Sequence, residues 1–353
     1  MKAPERAFLS LYIAGRPSMI GLEKRLQKVR NMLKGSGIEK DERVYFDKNV
    51  SAVESYLVQN PLESGSICIF ACWAINFFKA IPLAVPIRDL VWIDSSPYIR
   101  PLAELQDEYE NIAVVVADNS KARIFLVSSG VAGSEEIIKG NVKNHVKKGG
   151  WSQQRYERRR DKQLHLYANE IIEAIIKLSR EEEFQRIFLV GGKEILQHIQ
   201  ASLPWNLQER VVEKNLYLGK KEGEIHKDIM ELFFEEERKS EKELWERIRN
   251  EYLRGGLAAV GLEDVLDAAE EGRVEKMIVD RTFRPEGNRC YECNNLSVGK
   301  AERCSACGAQ SLYNVGLVNE IVEMLALTGA DVDFSDPIEG LTEAGQIAAL
   351  LRY

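Results

Sequence analysis

Short apolar runs and helix-period stripes alternate along most of the chain. AFLSLYIA, residues 7–14, predicts a strand, and Leu22, Leu26, Val29 and Leu33 then recur at helical spacing among basic residues. SICIFACW, residues 66–73, predicts a buried strand in which Cys68 and Cys72 serve as small core hydrophobes. The proline-rich PLAVPIRDLVWIDSSPYIRPL, residues 82–102, predicts an extended connection. IAVVVA and ARIFLV predict two strands joined by the turn DNSK, which gives Asp118 and Asn119 a turn role before any chemical one. Leu164, Tyr167, Ala168, Ile171, Ile172, Ile175 and Leu178 form one apolar stripe of a long helix. FQRIFLV is a further strand, and Gly191-Gly192 turns it into the helix KEILQHIQ, on which His198 packs or meets solvent.

DIMELFFEEERKSEKELWERIRNEYL predicts a solvated connector helix rich in i,i+4 charge pairs. Beyond it, GGLAAVGLEDVLDAAEEGRVEKMIV reads as a glycine-bounded helix and a strand, an expectation that leaves no separate strand at residues 258–260. VGLVNEIVEMLALTGADVDF reads as a helix stopped at Gly329 and then a strand, and AGQIAALLRY as a terminal strand. The expectation is an α/β protein of three domains with mixed sheets, spanning residues 1–106, 107–237 and 238–353. A chain of 353 residues with 45% hydrophobic and 29% charged residues fits that expectation. The N-terminal residues lack the apolar run of a secretory signal, and nothing approaches a membrane span, so the expected compartment is the cytoplasm, with no membrane partner.

Charge changes this picture at one place. The chain carries a formal net charge of −7, yet Lys139 to Lys162 holds nine Lys/Arg against two acids, Glu157 and Asp161. Gly149 and Gly150 lie inside that segment, ahead of Gln153, Gln154 and the long helix. A solvated helix face beside a surface turn is the plainer reading. Positive charge gathered beside a permissive Gly-Gly tip in an acidic protein points instead to a polyanion. The helix N-terminus adds its own partial positive charge and unsatisfied N–H donors there.

Four of the six cysteines form Cys290-x2-Cys293 and Cys304-x2-Cys307, separated by ten residues. Two such knuckles can aim four thiolates at one cation, and no fifth ligand is nearby, so the expected site is a closed, structural zinc ribbon inserted in the third domain. Gly308 suits the turn after the second pair. A redox dithiol pair is the rival reading.

IAVVVADNSKARIFLV, HVKKGGWSQQRYERRRDKQLHLYANE, GLEDVLDAAEEGRVEKMIV and the closing GADVDFSDPIEGLTEAGQIAALLRY, in that order, resemble the class-1 peptide chain release factors of eukaryotes and archaea and their bacterial relatives. The four-cysteine insert falls where archaeal members often carry one. Two departures accompany the resemblance. The NIKS and YxCxxxN motifs of stop-codon readers are absent, and NMLKGSGIEKDE occupies the comparable region. The catalytic loop reads GGWSQ instead of GGQ, with Trp151 and Ser152 between the glycines and Gln153. A GGxSQ form resembles the divergent branch that includes peptidyl-tRNA-cleaving factors of ribosome quality control.

The resemblance implies hydrolysis of the peptidyl-tRNA ester in the peptidyl-transferase centre, as part of ribosome rescue. Catalysis would fall to Gln153, with Gly149 and Gly150 shaping the loop. Gln153 neither titrates nor attacks, so its contribution would be to position water and stabilise the oxyanion. Lys147, Lys148, Arg155, Arg158 and Arg159 would hold rRNA and tRNA phosphates, and Trp151 would stack on a base or pack against its own loop. His145 would brace the loop stem. The implied partners are the ribosome, its rRNA, peptidyl-tRNA, and a translational GTPase or ribosome-splitting factor. Three other readings stay open: stop-codon-dependent termination, non-hydrolytic ribosome binding, and cleavage of the tRNA acceptor end.

Overall fold

The computed structural model describes residues 3–35, 40–62, 65–83, 85, 87–108, 111–128, 131–139, 151–214 and 222–353. Only the backbone is described at 16–20, 34–35, 40, 108, 128, 131–136, 151–157, 213–214, 222–230 and 232–233. The chain divides into two compact units, one of Met1–Glu104 with Glu241–Tyr353 and one of Leu105–Ser240.

The first unit begins with β1 (Phe8–Ile13), α1 (Arg16–Gly35), α2 (Lys40–Gln59), β2 (Ser66–Cys72), β3 (Phe77–Leu83) and β4 (Leu90–Asp94), whose strands form an antiparallel sheet in the order β3-β2-β1-β4. β1 is buried at all six positions and shows no alternation, because both of its faces are covered. Leu9, Leu11 and Ile13 share a core with Leu22, Leu26 and Leu33 of α1 and Phe46, Val50 and Val53 of α2. Tyr12 points the other way, beside Cys68 and Phe70. Cys68 and Cys72 are core residues as expected, and burial pushes the Cys68 thiol up to about 12.

Residues 82–102 are not a bare connection. They hold β4, paired with β1 from Phe8↔Asp94 to Tyr12↔Leu90, and the start of α3 (Arg100–Glu108). The prolines concealed both elements. Pro82 lies in edge strand β3, where proline is tolerated, and Pro101 lies in the first turn of α3, where its N–H would have no intrahelical acceptor.

The second unit holds β5 (Ile112–Ala117), β6 (Lys121–Ser128), β7 (Val131–Lys139), α4 (Trp151–Glu181), β8 (Arg186–Gly191), α5 (Lys193–Ser202), α6 (Trp205–Gln208) and β9 (Val211–Lys214). Its sheet runs β7-β6-β5-β8-β9, with β6 antiparallel to both β5 and β7, and β8 parallel to both β5 and β9. The predicted stripe of α4 is the buried one: Leu164, Tyr167, Ala168, Ile171, Ile172 and Ile175 pack with Ala113, Val115 and Ala117 of β5 and with α5. The Asp118 carboxylate accepts the Ser120 N–H at 2.6 Å and the Lys121 N–H at 2.8 Å, so it closes the β5–β6 turn. At Gly191 (φ 139°) a Cβ would lie 1.9 Å from the Ala117 carbonyl oxygen, and the Gly192 N–H donates to that same oxygen at 3.0 Å. Only glycine fits where β8 passes this close to β5.

α7 (Glu222–Leu253) leads back into the first unit. There follow β10 (Ala258–Val260), α8 (Leu262–Glu270), β11 (Val274–Asp280), β12 (Glu286–Cys290), β13 (Leu296–Val298), β14 (Leu312–Gly316), α9 (Leu317–Thr328), β15 (Asp331–Ser335), α10 (Glu339–Glu343) and β16 (Ile347–Leu351). They make a mixed sheet β10-β16-β11-β15 and a small antiparallel sheet β13-β12-β14. α8 and α9 cover one face of the mixed sheet. Leu244, Trp245 and Ile248 of α7, with Leu341 of α10, cover the other, so this part of α7 is more than the solvated connector its charges suggested. Gly329 ends α9 at φ 66°, as expected.

Buried polar groups fasten the N-terminal sheet to this later part of the unit. Arg100, 1% exposed, donates from Nε to Glu104 at 2.7 Å and from its two terminal nitrogens to the carbonyls of Phe283 at 2.7 Å and Arg281 at 3.0 Å. Asn319 Oδ1 accepts the N–H groups of Ile99 at 2.9 Å and Arg100 at 3.1 Å, and Ser96 Oγ donates to Glu320 at 2.8 Å. Arg289 pairs with the same Glu320. A buried charge needs such saturation, and truncating one partner of such a network costs about 3–5 kcal/mol.

Candidate functional site

The basic segment lies between β7 and α4. Lys139, the last residue of β7, pairs with Lys121 of β6, and α4 begins at Trp151. Lys147, Lys148, Gly149, Gly150 and His145 fall outside the described residues. The backbone of Trp151, Gln153 and Arg155 is α-helical, which puts Gln153 in the first turn of α4. N–H groups of a first turn have no intrahelical acceptor, and the helix dipole favours an anion beside them. Arg158 and Arg159 follow in the same helix and are exposed.

α4 is held from below. Its apolar stripe is buried, and Arg160 forms a two-pronged ion pair with Glu194 in the first turn of α5. His198 Nε2 stands 3.5 Å from Asp161 Oδ1, a contact that ties α5 to α4. The arrangement can carry a positively charged helix end on a rigid support, with charged side chains directed to solvent.

The second cluster lies at the end of the small sheet. The sulfurs of Cys290, Cys293, Cys304 and Cys307 all lie within 4.8 Å of one another. Cys290–Cys307 is 3.6 Å and Cys293–Cys304 is 3.5 Å, far beyond a disulfide of about 2.05 Å. A tetrahedral S4 site with metal–sulfur bonds of about 2.3 Å sets its sulfurs about 3.8 Å apart. The donor set therefore fits one metal ion.

The two knuckles repeat one backbone pattern. Asn294 (φ 60°) donates its N–H to Cys290 O at 2.9 Å, and Gly308 (φ 75°) donates its N–H to Cys304 O at 2.9 Å. The N–H of Cys307 draws the Cys304 thiol down to about 6 by stabilising its thiolate. Tyr291, inside the first knuckle, packs on Tyr313 at 4.6 Å and donates its hydroxyl to Glu5.

The residues that join the unit, Ser96, Arg100, Asn319 and Glu320, were not anticipated as a group. They are far apart in sequence and lie on segments read as a connection and as an ordinary helix; no periodicity or spacing marks them.

The family model for bacterial archaeo-eukaryotic release factor family 10 matches residues 97–233. The peptide chain release factor subunit 1 of Methanocaldococcus jannaschii is 26% identical over 368 residues, covering 87% of this chain and 84% of the relative. That of Archaeoglobus fulgidus is 26% identical over 289 residues, covering 74% and 70%. Among solved structures, Saccharomyces cerevisiae Dom34, described as a translation termination-like factor involved in RNA quality control pathways and interacting with Hbs1, is 13% identical with a TM-score of 0.44, covering 84% of this chain and 75% of that one. The sequence matches, not that superposition, carry the assignment. The family match contains the basic segment and α4, and the relatives extend it over most of the chain. Over these spans the chain is similar to archaeal peptide chain release factors and, at residues 97–233, to bacterial archaeo-eukaryotic release factor family 10.

Proposed function

We propose that this protein binds the ribosome and hydrolyses the ester of peptidyl-tRNA in ribosome rescue, working as three functional domains, 1–106, 107–237 and 238–353. The observation that carries this reading is the GGWSQ sequence running into the first turn of α4, a helix braced on its inner face, rich in arginine in its first turns, and with Arg158 and Arg159 exposed. Gly149 and Gly150 allow close approach to the tRNA 3′ end. Gln153 positions the attacking water, and N–H donors of the helix start stabilise the developing oxyanion. Lys147, Lys148, Arg155, Arg158 and Arg159 neutralise rRNA and tRNA phosphates, and Trp151 stacks on an exposed base. Missing NIKS and YxCxxxN motifs support a role that does not depend on the codon, in the cytoplasm, alongside a translational GTPase or a splitting factor.

The four cysteines would hold a structural Zn²⁺, completing a ribbon on β12, β13 and β14. The metal would supply cross-linking of the two knuckles, with no open position for catalysis. Metal analysis of purified protein is expected to find one zinc per chain, lost when Cys290 and Cys307 are both replaced.

The functional test uses purified ribosomes carrying labelled peptidyl-tRNA, stalled with or without a stop codon in the A site. Released peptide and intact tRNA in both arms is the expected result. Release only with a stop codon would make the protein a termination factor. A shortened tRNA would make it a nuclease, and binding without product a non-hydrolytic factor.

A further inference from the structure

A cavity of about 290 Å³ lies in the first unit between two strand edges that pair with no further strand among the described residues. β4 is the outer strand of the N-terminal sheet and β14 an outer strand of the cysteine-bearing sheet; Trp92 and Asp94 line the cavity from one side, Asn314 and Gly316 from the other. Open edges present backbone N–H and C=O groups, which can read the edge of a flat polar ring.

The aromatic wall is built. Trp92 stacks on Tyr98 with ring centroids 4.5 Å apart and planes 22° apart, and it stays 36% exposed. Its Nε1 donates to Asp94 Oδ2 at 3.2 Å, which fixes the indole. Burial pushes the Asp94 carboxyl up to about 6 against the opposing donors of Ser95 and Trp92. Perturbed carboxyls in a cleft mark candidate binding sites.

Cations stand beside this wall. Arg284, whose side chain is 51% exposed, donates to the carbonyls of Arg281 at 2.6 Å and Phe283 at 3.0 Å and stands 3.4 Å from Glu104. Arg6, 41% exposed, pairs with Glu42 at 2.9 Å and Glu5 at 3.1 Å. Both guanidinium groups keep a solvent-facing side in a cavity that Glu5 and Glu286 also line. The floor is rigid, because Arg100 and Asn319 also line the cavity and their polar groups are engaged in the junction described above.

We propose that this cavity binds a mononucleotide, the base adding to the Trp92–Tyr98 stack and the phosphate reaching Arg284 and Arg6. An aromatic face backed by a second ring suits a nucleobase, and solvent-reachable guanidinium groups suit a phosphate. The volume lies at the small end of ligand pockets, which run from roughly 300 to 1,000 Å³, so it matches one nucleotide and not an oligomer. This site is independent of residues 149–153 and of the four cysteines.

The test titrates the full chain with AMP, GMP, adenosine and inorganic phosphate, reading tryptophan fluorescence and calorimetric heat. At least one nucleotide is expected to bind with a Kd below about 1 mM. W92L is expected to weaken it at least tenfold or so and to remove the fluorescence change. R284A is expected to weaken the nucleotide by roughly fivefold while leaving adenosine unaffected. N314W, at an exposed β14 position, fills the mouth and is expected to abolish binding even if W92L fails to fold. Absence of nucleotide binding, unchanged affinity in N314W, or phosphate binding as tightly as the nucleotide would each overturn the proposal.

Discussion

Gly149-Gly150 and Gly191-Gly192 are the same dipeptide within one compact unit, in opposite surroundings. The second pair follows apolar β8, and its first member is pressed against the Ala117 carbonyl so closely that a single methyl group does not fit. The first pair stands among lysines and arginines and leads into a helix start that carries no buried position until Leu164 among its described side chains. One pair is required by the fold, and the other is the one the proposed function assigns to a partner. The dipeptide itself is uninformative; the charge and apolar character of its neighbours separate the two roles.

Exchanging alanine into each pair is the sharpest way to break that comparison. Gly191→Ala should lose about 4 kcal/mol of unfolding free energy or fail to fold, because its Cβ meets backbone at φ 139°; chemical denaturation measures this. Gly150→Ala should instead retain its unfolding curve and release peptide about 10²-fold more slowly, since the loop is misplaced by a fraction of an ångström to an ångström. Replacing Cys290 and Cys307 with serine should abolish zinc content and lower the unfolding free energy by on the order of 3 kcal/mol if free metal stands about 100-fold above its Kd, read by chemical denaturation. Arg158→Ala with Arg159→Ala should give the smallest change: stability within about 0.5 kcal/mol of the original, and a salt dependence of ribosome binding shallower by about two.

Much of the scaffold was legible wherever burial imposes a period. The apolar runs of β1 and β5 and the stripe on α4 all announce themselves, and the Cys-x2-Cys spacing marks four cysteines that the fold does bring together. Legibility failed where another constraint overrode the period. Pro82, Pro97 and Pro101 made β4 and α3 look like a linker, although proline is compatible with an edge strand and with a helix start. Leu244, Trp245 and Ile248 were diluted by the charges of α7, so its packed end read as a solvated rod. β7, β9 and β13 are edge strands with little apolar signal of their own, set by pairing with a neighbour. The cavity between β4 and β14 was hidden for a similar reason: it is made by two edges meeting, and no local pattern encodes such a meeting.

The central claim is that Gln153, displaced from the glycines by Trp151 and Ser152, does the chemistry. Single-round peptide release from stalled ribosomes, measured at saturating protein for the original chain and for Gln153→Ala, tests it directly. The account predicts a release rate lower by about 10²–10³ with ribosome affinity unchanged. Release by Gln153→Ala at the original rate would contradict it.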